Sequence, residues 1–255
     1  MTAENESAIV KRLREIGERV WQTPEPVVAF TGRADADALV NDLKDHPHAY
    51  VVGCIADRQM KYQKAWMLPY LLSQRVGGFE FTRLQSLTEQ ELLRAIDTVP
   101  KLHRFPRPMA KFIRSGIHRI ADQYNGDASR IWTGQPSSSD VVARFLEFDG
   151  VGPKIAHMAA NILVRSFKVQ LSDYWSIDVS ADVHVRRVFG RLGLCRVGAS
   201  VDEVVAKGRS LSREFPGLLD YSAFEIGNLW CRNADPLCGE CRMSDICPSS
   251  GSGSM

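Results

Sequence analysis

The sequence predicts an all-α fold, and three observations carry that prediction. Apolar residues recur at helical spacing along most of the chain. Alternating apolar–polar runs, the mark of half-buried strands, are missing. Helix-opening residues precede several of the periodic stretches. With 255 residues, the chain has room for one large domain or two modest ones, at about 100–200 residues each.

In chain order, residues 6–22 (ESAIVKRLREIGERVWQ) form a first helix that Pro24 and Pro26 end. A second covers 34–44 and is opened by Asp35 or Asp37. Residues 48–58 continue apolar, and an amphipathic stretch runs from Gln59 to Leu72. Thr88 and Glu91 make a capping box that opens a helix over 89–97. Residues 107–124 form another helix, and Ser139 or Asp140 starts the next. Helical patterns recur at 153–167, 182–192, 201–214 and 219–230. Gly134–Ser139 (GQPSSS) is a loop, and the terminal SSGSGSM reads as a flexible tail or a cloning remnant.

Composition narrows the classes. Hydrophobic residues are 44% and charged residues 24%, ordinary for a globular chain. The longest apolar run, Ala49–Ala56, is too short to span a bilayer, and no basic-then-apolar start suggests secretion. The expectation is a cytoplasmic protein with no membrane partner. The net charge of +2 conceals segregation. Lys101, Arg104, Arg107, Lys111, Arg114 and Arg119 lie in a stretch without an acid, and Arg186, Arg187, Arg191 and Arg196 form a second cluster. The balancing acids lie largely in 35–45, 87–97 and 202–225. Such a run is a solvated face in most proteins and a phosphate track in one that binds DNA.

Of the six cysteines, Cys54 and Cys195 sit in apolar surroundings and read as buried, inert thiols. The other four form a C-x6-C-x2-C-x5-C array: Cys231, Cys238, Cys241 and Cys247. Two disulfides would suit a small secreted protein, which this chain does not resemble. Zinc and a [4Fe–4S] cluster both take four thiolates. The commoner zinc array has two C-x2-C pairs and only one is present, so spacing leans toward iron–sulfur without deciding it.

Residues 141–163 (VVARFLEFDGVGPKIAHMAANIL) read as two helices joined at Gly150-Val151-Gly152, with Pro153 favourable at the first helical position. The two glycines permit positive φ and close approach. A turn followed by a helix start presents backbone N–H groups to an anion such as a DNA phosphate; a plain αα-hairpin is the competing reading. Lys154 lies in the first helical turn, where the helix dipole disfavours a cation and so favours the neutral amine a nucleophile needs. Alternatively it contacts phosphate or solvent. Asp182 precedes a helix carrying Val185, Val188 and Phe189 on one face. It is an N-cap, a carboxylate that stabilises a sugar cation or takes a proton, or both. His184 reads as a core or helix-end residue.

Taken in order, GVGPK, DVHVRRV and the cysteine array resemble the endonuclease III branch of the helix–hairpin–helix DNA glycosylase superfamily, over about residues 40–248. The resemblance implies two helical domains with DNA bound in the cleft between them. The expected divisions are a helix over 1–28 packing on the cluster domain, a six-helix bundle over 29–170 ending in the hairpin, C-terminal helices and cluster loop over 171–248, and a tail over 249–255. It also implies a [4Fe–4S] cluster on the four cysteines, Lys154 as catalytic lysine and Asp182 as catalytic aspartate. The implied partner is double-stranded DNA carrying a damaged base, bound by a monomer, with nucleoid association in a bacterium. A flipped base is removed as the lysine attacks the sugar, and the Schiff base then permits β-elimination. Relatives without the lysine only remove the base, using the aspartate and water. Alternatives are such a monofunctional glycosylase and a non-catalytic iron–sulfur DNA-binding protein. Gln59 matches a glutamine that fills the gap left by the flipped base. Gly150, Val151, Gly152 and Arg186 are the remaining DNA-binding candidates. The chain departs from the pattern in three places. Asp149 replaces the usual proline before the hairpin. Residues 166–180, with Tyr174 and Trp175, lengthen the interval from Lys154 to Asp182 and make Asp178 a second candidate carboxylate. No residue matches a base-recognition pattern, and the resemblance alone implies oxidised pyrimidines as the default substrate.

Overall fold

The computed structural model describes residues 2–23 and 27–250. Pro24, Pro26 and residues 251–255 of the expected tail lie outside the described residues. Among those described there are twelve α-helices, two short 3-10 turns and no strand, as the periodicity predicts. The chain divides into two compact units. One comprises Met1–Pro24, Ser137–Val142 and Ala160–Met255; the other comprises Glu25–Pro136 and Ala143–Ala159.

The second of these units holds α2 (Ala34–Asn41), α3 (Pro47–Ala56), α4 (Tyr62–Val76), α5 (Phe81–Ser86), α6 (Glu89–Asp97) and α7 (Pro106–Tyr124). It also holds the C-terminal part of α8 (Ser138–Leu146) and the start of α9 (Pro153–Arg165). All ten residues of α3 are buried, the condition of a helix with no polar face. Around it pack α2, α4 and α7. Phe30 stacks on Trp66 of α4 at 4.1 Å, and the Tyr50 hydroxyl donates to the Ala159 carbonyl at 2.8 Å. The expected capping box opens α6, where Thr88 and Glu91 satisfy each other's backbone amides. Helix α5 was not anticipated: six residues are too few for a period of 3.6 to register, and it buries only Leu84.

The other unit is built on α1 (Ala3–Gln22), α10 (Val183–Arg191), α11 (Val201–Leu211) and α12 (Leu218–Leu229). Helix α12 packs against both α1 and α10. Ile9, Leu13 and Ile16 of α1 meet Val185, Val188 and Phe189 of α10 and Leu219, Ala223 and Ile226 of α12 in one core. The stretch 166–180 belongs to this unit and is firmly anchored. Tyr174 lies edge-on to Trp21 at 5.3 Å and 5.4 Å from Phe215. Ser138 Oγ bonds Asp173 and accepts from the Ser176 amide, and Ile177 is fully buried. Trp175, between these anchors, is exposed. Among the described residues, no helix is long and apolar enough to cross a membrane.

Candidate active site and thiol cluster

The hairpin is built by a turn that only glycine accommodates at one position. Gly150 has φ +85°, and a Cβ there would lie 2.7 Å from Phe112 and 2.9 Å from Arg58. Gly152 differs from expectation: its φ is not positive, and a Cβ would meet nothing within 4 Å. Val151 is buried, and its amide is already bonded to the Phe148 carbonyl at 3.0 Å. The amides of Gly150 and Gly152 make no hydrogen bond among the described residues, so these two remain to face an anion. Asp149 does not point at that spot, because its Oδ2 accepts from Ser115 Oγ on α7 at 2.8 Å.

Lys154 is the second residue of α9. Its Nζ lies 2.8 Å from Oδ2 of Asp57, with the lysine side chain 41% exposed and the aspartate 6%. Asp57 is the C-cap of α3, where the helix dipole opposes a negative charge and burial adds to the cost. The ammonium offsets both. Asp57 belongs to no local motif in the sequence, although it is the only acid between Pro47 and Arg58. The next residue, Arg58, donates to the Gly150 carbonyl at 3.1 Å and lies over the Phe112 ring at 5.1 Å. The end of α3 thus grips the hairpin with one side chain and the lysine with the other. Gln59 follows, exposed and held at φ +54°.

Asp182 sits in the other unit as the N-cap of α10, and its Oδ1 accepts from the amides of His184 and Val185 at 2.8 Å each. The preceding Ala181 has φ +42°, a strained value for a residue with a side chain. That conformation is secured from α12: Asp220 Oδ1 accepts from Ser180 N at 2.6 Å and Ser180 Oγ at 2.7 Å. Burial pushes the Asp220 carboxyl above its ordinary range. Gly227, two turns along α12, lets the helices approach so closely that a Cβ would be 2.7 Å from His184 Cβ. Asp178 has a different environment. It is 2% exposed, and Arg209 takes both its oxygens, at 2.7 and 2.6 Å. His184 accepts from Arg187 at 3.0 Å and packs edge-on to Phe224, a structural placement.

The four array cysteines follow α12. All are half-buried and none is in a disulfide. Cys231, Cys241 and Cys247 pack against the apolar core. Burial pushes the Cys241 and Cys247 thiols up, and the charges of the neighbouring sulfurs add to it, for Cys241 those of all three others. Among the described residues, no group of three or more metal-ligating side chains forms a ready-made site. The loop is held by arginines of α10. Arg187 donates to the Cys231 and Gly227 carbonyls at 2.6 and 2.7 Å. Arg191 donates to the Arg232 and Asn233 carbonyls at 2.6 and 3.1 Å and lies 3.4 Å from Cys231 Sγ.

These contacts show what else the two basic clusters do within the protein. An irregular loop exposes carbonyls that need donors, and guanidinium groups supply five N–H each. Arg186 likewise donates to the Ala199 carbonyl at 3.1 and 2.8 Å, and Arg196 pairs with Glu203 at 2.9 Å. In the earlier stretch Lys101 pairs with Asp97 at 2.6 Å, Arg119 with Glu147 at 3.0 Å, and Arg114 with the Leu87 carbonyl. Arg107 and Lys111 stay exposed. Of the two isolated thiols, Cys54 is buried as expected, whereas Cys195 is only partly so.

No family model matches the chain. Endonuclease III-like protein 1 of Gallus gallus is 27% identical over 148 residues, which are 57% of this chain and 46% of that protein. Endonuclease III of Synechocystis is 26% identical over 151 residues, 57% of this chain and 58% of that one. The chain spans about half the length of these curated relatives. A solved non-covalent endonuclease III–DNA complex superposes with a TM-score of 0.65 at 17% identity, covering 99% of this chain and 98% of that one. This chain resembles the endonuclease III branch of the helix–hairpin–helix DNA glycosylase superfamily.

The resemblance to the endonuclease III branch implies a [4Fe–4S] cluster, and the donor set fits one chemically. Four free, half-buried thiols are electrostatic neighbours on one loop, and charge–charge repulsion among their thiolates is what a bound cation relieves.

Proposed function

We propose that the protein is a base-excision-repair DNA glycosylase that flips a damaged base out of duplex DNA and removes it, with AP lyase activity through a Schiff base on Lys154. One observation carries this reading. A lysine stands in the first turn after a Gly-Val-Gly hairpin, its amine held by a buried carboxylate and its side chain 41% exposed. The free amides of Gly150 and Gly152 take a DNA phosphate, with Val151 as the apolar pin of the turn. Gln59 fills the gap left by the flipped base, and Arg186, bonded to the Ala199 carbonyl through Nε and Nη2, contributes its positive charge to holding the DNA backbone. Asp182, capping α10 through one oxygen, uses its charge to stabilise the sugar cation as the base departs. Cys231, Cys238, Cys241 and Cys247 hold the [4Fe–4S] cluster, whose role is to cross-link and fold the terminal segment. The enzyme works as a monomer on double-stranded DNA in the cytoplasm or nucleoid.

Borohydride trapping on a duplex with an abasic site tests the lyase reading, and a covalent adduct absent in Lys154→Gln is expected. Base release without trapping would leave a monofunctional glycosylase using Asp182 and water. The Lys154–Asp57 ion pair is the observation that favours this second reading, because it engages the amine. A panel of lesions, oxidised pyrimidines first, identifies the base. The purified protein should be brown; a colourless, folded, zinc-containing protein would overturn the cluster.

A further inference from the structure

We infer that Asp57 is the acid–base partner of Lys154 in Schiff-base formation. This rests on the lyase reading above and adds a second reacting group to it. Asp57 Oδ2 is 2.8 Å from Lys154 Nζ, within direct proton-transfer reach. Lys154 is its only side-chain partner among the described contacts. The carboxylate is placed where stability alone gives little reason for one. It is 6% exposed, at the C-terminal end of α3, so burial and the helix dipole both act against its charge. A buried ion pair is weak evidence for stability, because desolvation offsets much of the attraction. The geometry is also fixed from outside the pair. Arg58 ties the same turn to the Gly150 carbonyl, and His103 Nε2 lies 3.3 Å from the Ala56 carbonyl. The lysine side chain is meanwhile 41% exposed, which leaves a sugar carbon room to approach it.

At an abasic site the step balances as follows. The Lys154 ammonium gives a proton to Asp57, and the freed lone pair attacks the C1′ aldehyde carbon. The N–C1′ bond forms as the carbonyl π pair moves to oxygen, and a proton shift from nitrogen to oxygen gives the carbinolamine. Asp57 returns its proton to that hydroxyl, the C1′–O bond breaks, water leaves, and the nitrogen lone pair closes the iminium. Asp57 ends as a carboxylate beside the new cation. An ammonium and an aldehyde have become an iminium and water, with no other reactant.

The test compares full-length wild type, Asp57→Asn, Asp57→Glu and Lys154→Gln on a duplex with one abasic site. Single-turnover borohydride trapping is measured beside duplex affinity and thermal midpoint. Trapping by Asp57→Asn should fall by about 100-fold or more, the usual contribution of a positioned acid–base group. Affinity should hold within about twofold, and Asp57→Glu should recover most of the rate. Trapping by Asp57→Asn as fast as wild type, or faster, overturns the inference while leaving the lyase reading intact, since the carboxylate would then only restrain the amine. Wild type that fails to trap overturns both. If Asp57→Asn does not fold, Asp57→Glu against Asp57→Gln makes the same comparison one methylene longer, and equal rates in that pair overturn the inference.

Discussion

Asp182 caps α10 and is proposed to stabilise the sugar cation, and one pair of substitutions separates the two roles. In Asp182→Ala the amides of His184 and Val185 lose the acceptor that now lies 2.8 Å from each. Loss of an N-cap acceptor costs about 1–2 kcal/mol. The cost falls on global stability because Val185, Val188 and Phe189, just inside the cap, are fully buried. In a chain of this size each kcal/mol moves the thermal midpoint by about 2–4 °C, so a drop of about 2–8 °C is expected. Asparagine caps helices about as well as aspartate, and its Oδ1 can accept the same two bonds. Asp182→Asn should therefore melt within about 1–2 °C of wild type, corresponding to about 0.5 kcal/mol. Base release should fall in both variants by about 100-fold or more, because both lack the charge. The assay is single-turnover base release beside a circular-dichroism melt. Asp182→Asn releasing base at the wild-type rate would refute the catalytic role. Asp182→Asn melting as low as Asp182→Ala would refute the capping argument.

Two further predictions rest on the same units. Gly150→Ala forces a side chain into φ +85° and against Phe112, and should cost about 1–3 kcal/mol of stability. Gly152→Ala meets open space, so it should keep its melting point and weaken duplex binding instead; equal destabilisation of the two would contradict the geometry. Burial holds the Asp220 carboxyl above its usual value of 3.8, so the native state keeps a proton that the unfolded chain releases. That contribution is full below about pH 4 and is lost as pH rises through the folded value, because the unfolded state then binds fewer protons. Urea midpoints of wild type against Asp220→Asn from pH 4 to 8 should show the variant gaining relative stability with rising pH, and a constant difference would refute the assignment.

The helices were legible because their signals are local. Ile9, Leu13 and Ile16 lie three and four residues apart, and Thr88 and Glu91 cap a helix within a single turn. Helix α5 escaped because one and a half turns give no period. At the site, the hairpin turn was visible as Gly-Val-Gly-Pro, yet the unequal roles of its glycines were not. Gly150 is constrained by Phe112 and Arg58, which come from distant segments, whereas Gly152 has open space. The internal bonds of the basic clusters were hidden for a related reason. Counting charges in sequence cannot show that Arg187 and Arg191 are committed to carbonyls of the cysteine loop.

By itself, then, the sequence determined the all-helical class, most helix positions, the cysteine array and the lysine behind the hairpin, since periodicity, caps and turns act over a few residues. Only the tertiary structure decided which carboxylate meets that lysine and which is locked away. Asp57 reaches Lys154 across 97 positions, and Arg209 takes both oxygens of Asp178 across 31. A side chain's charge partner is set by which helices pack together, and packing joins residues that no local pattern relates.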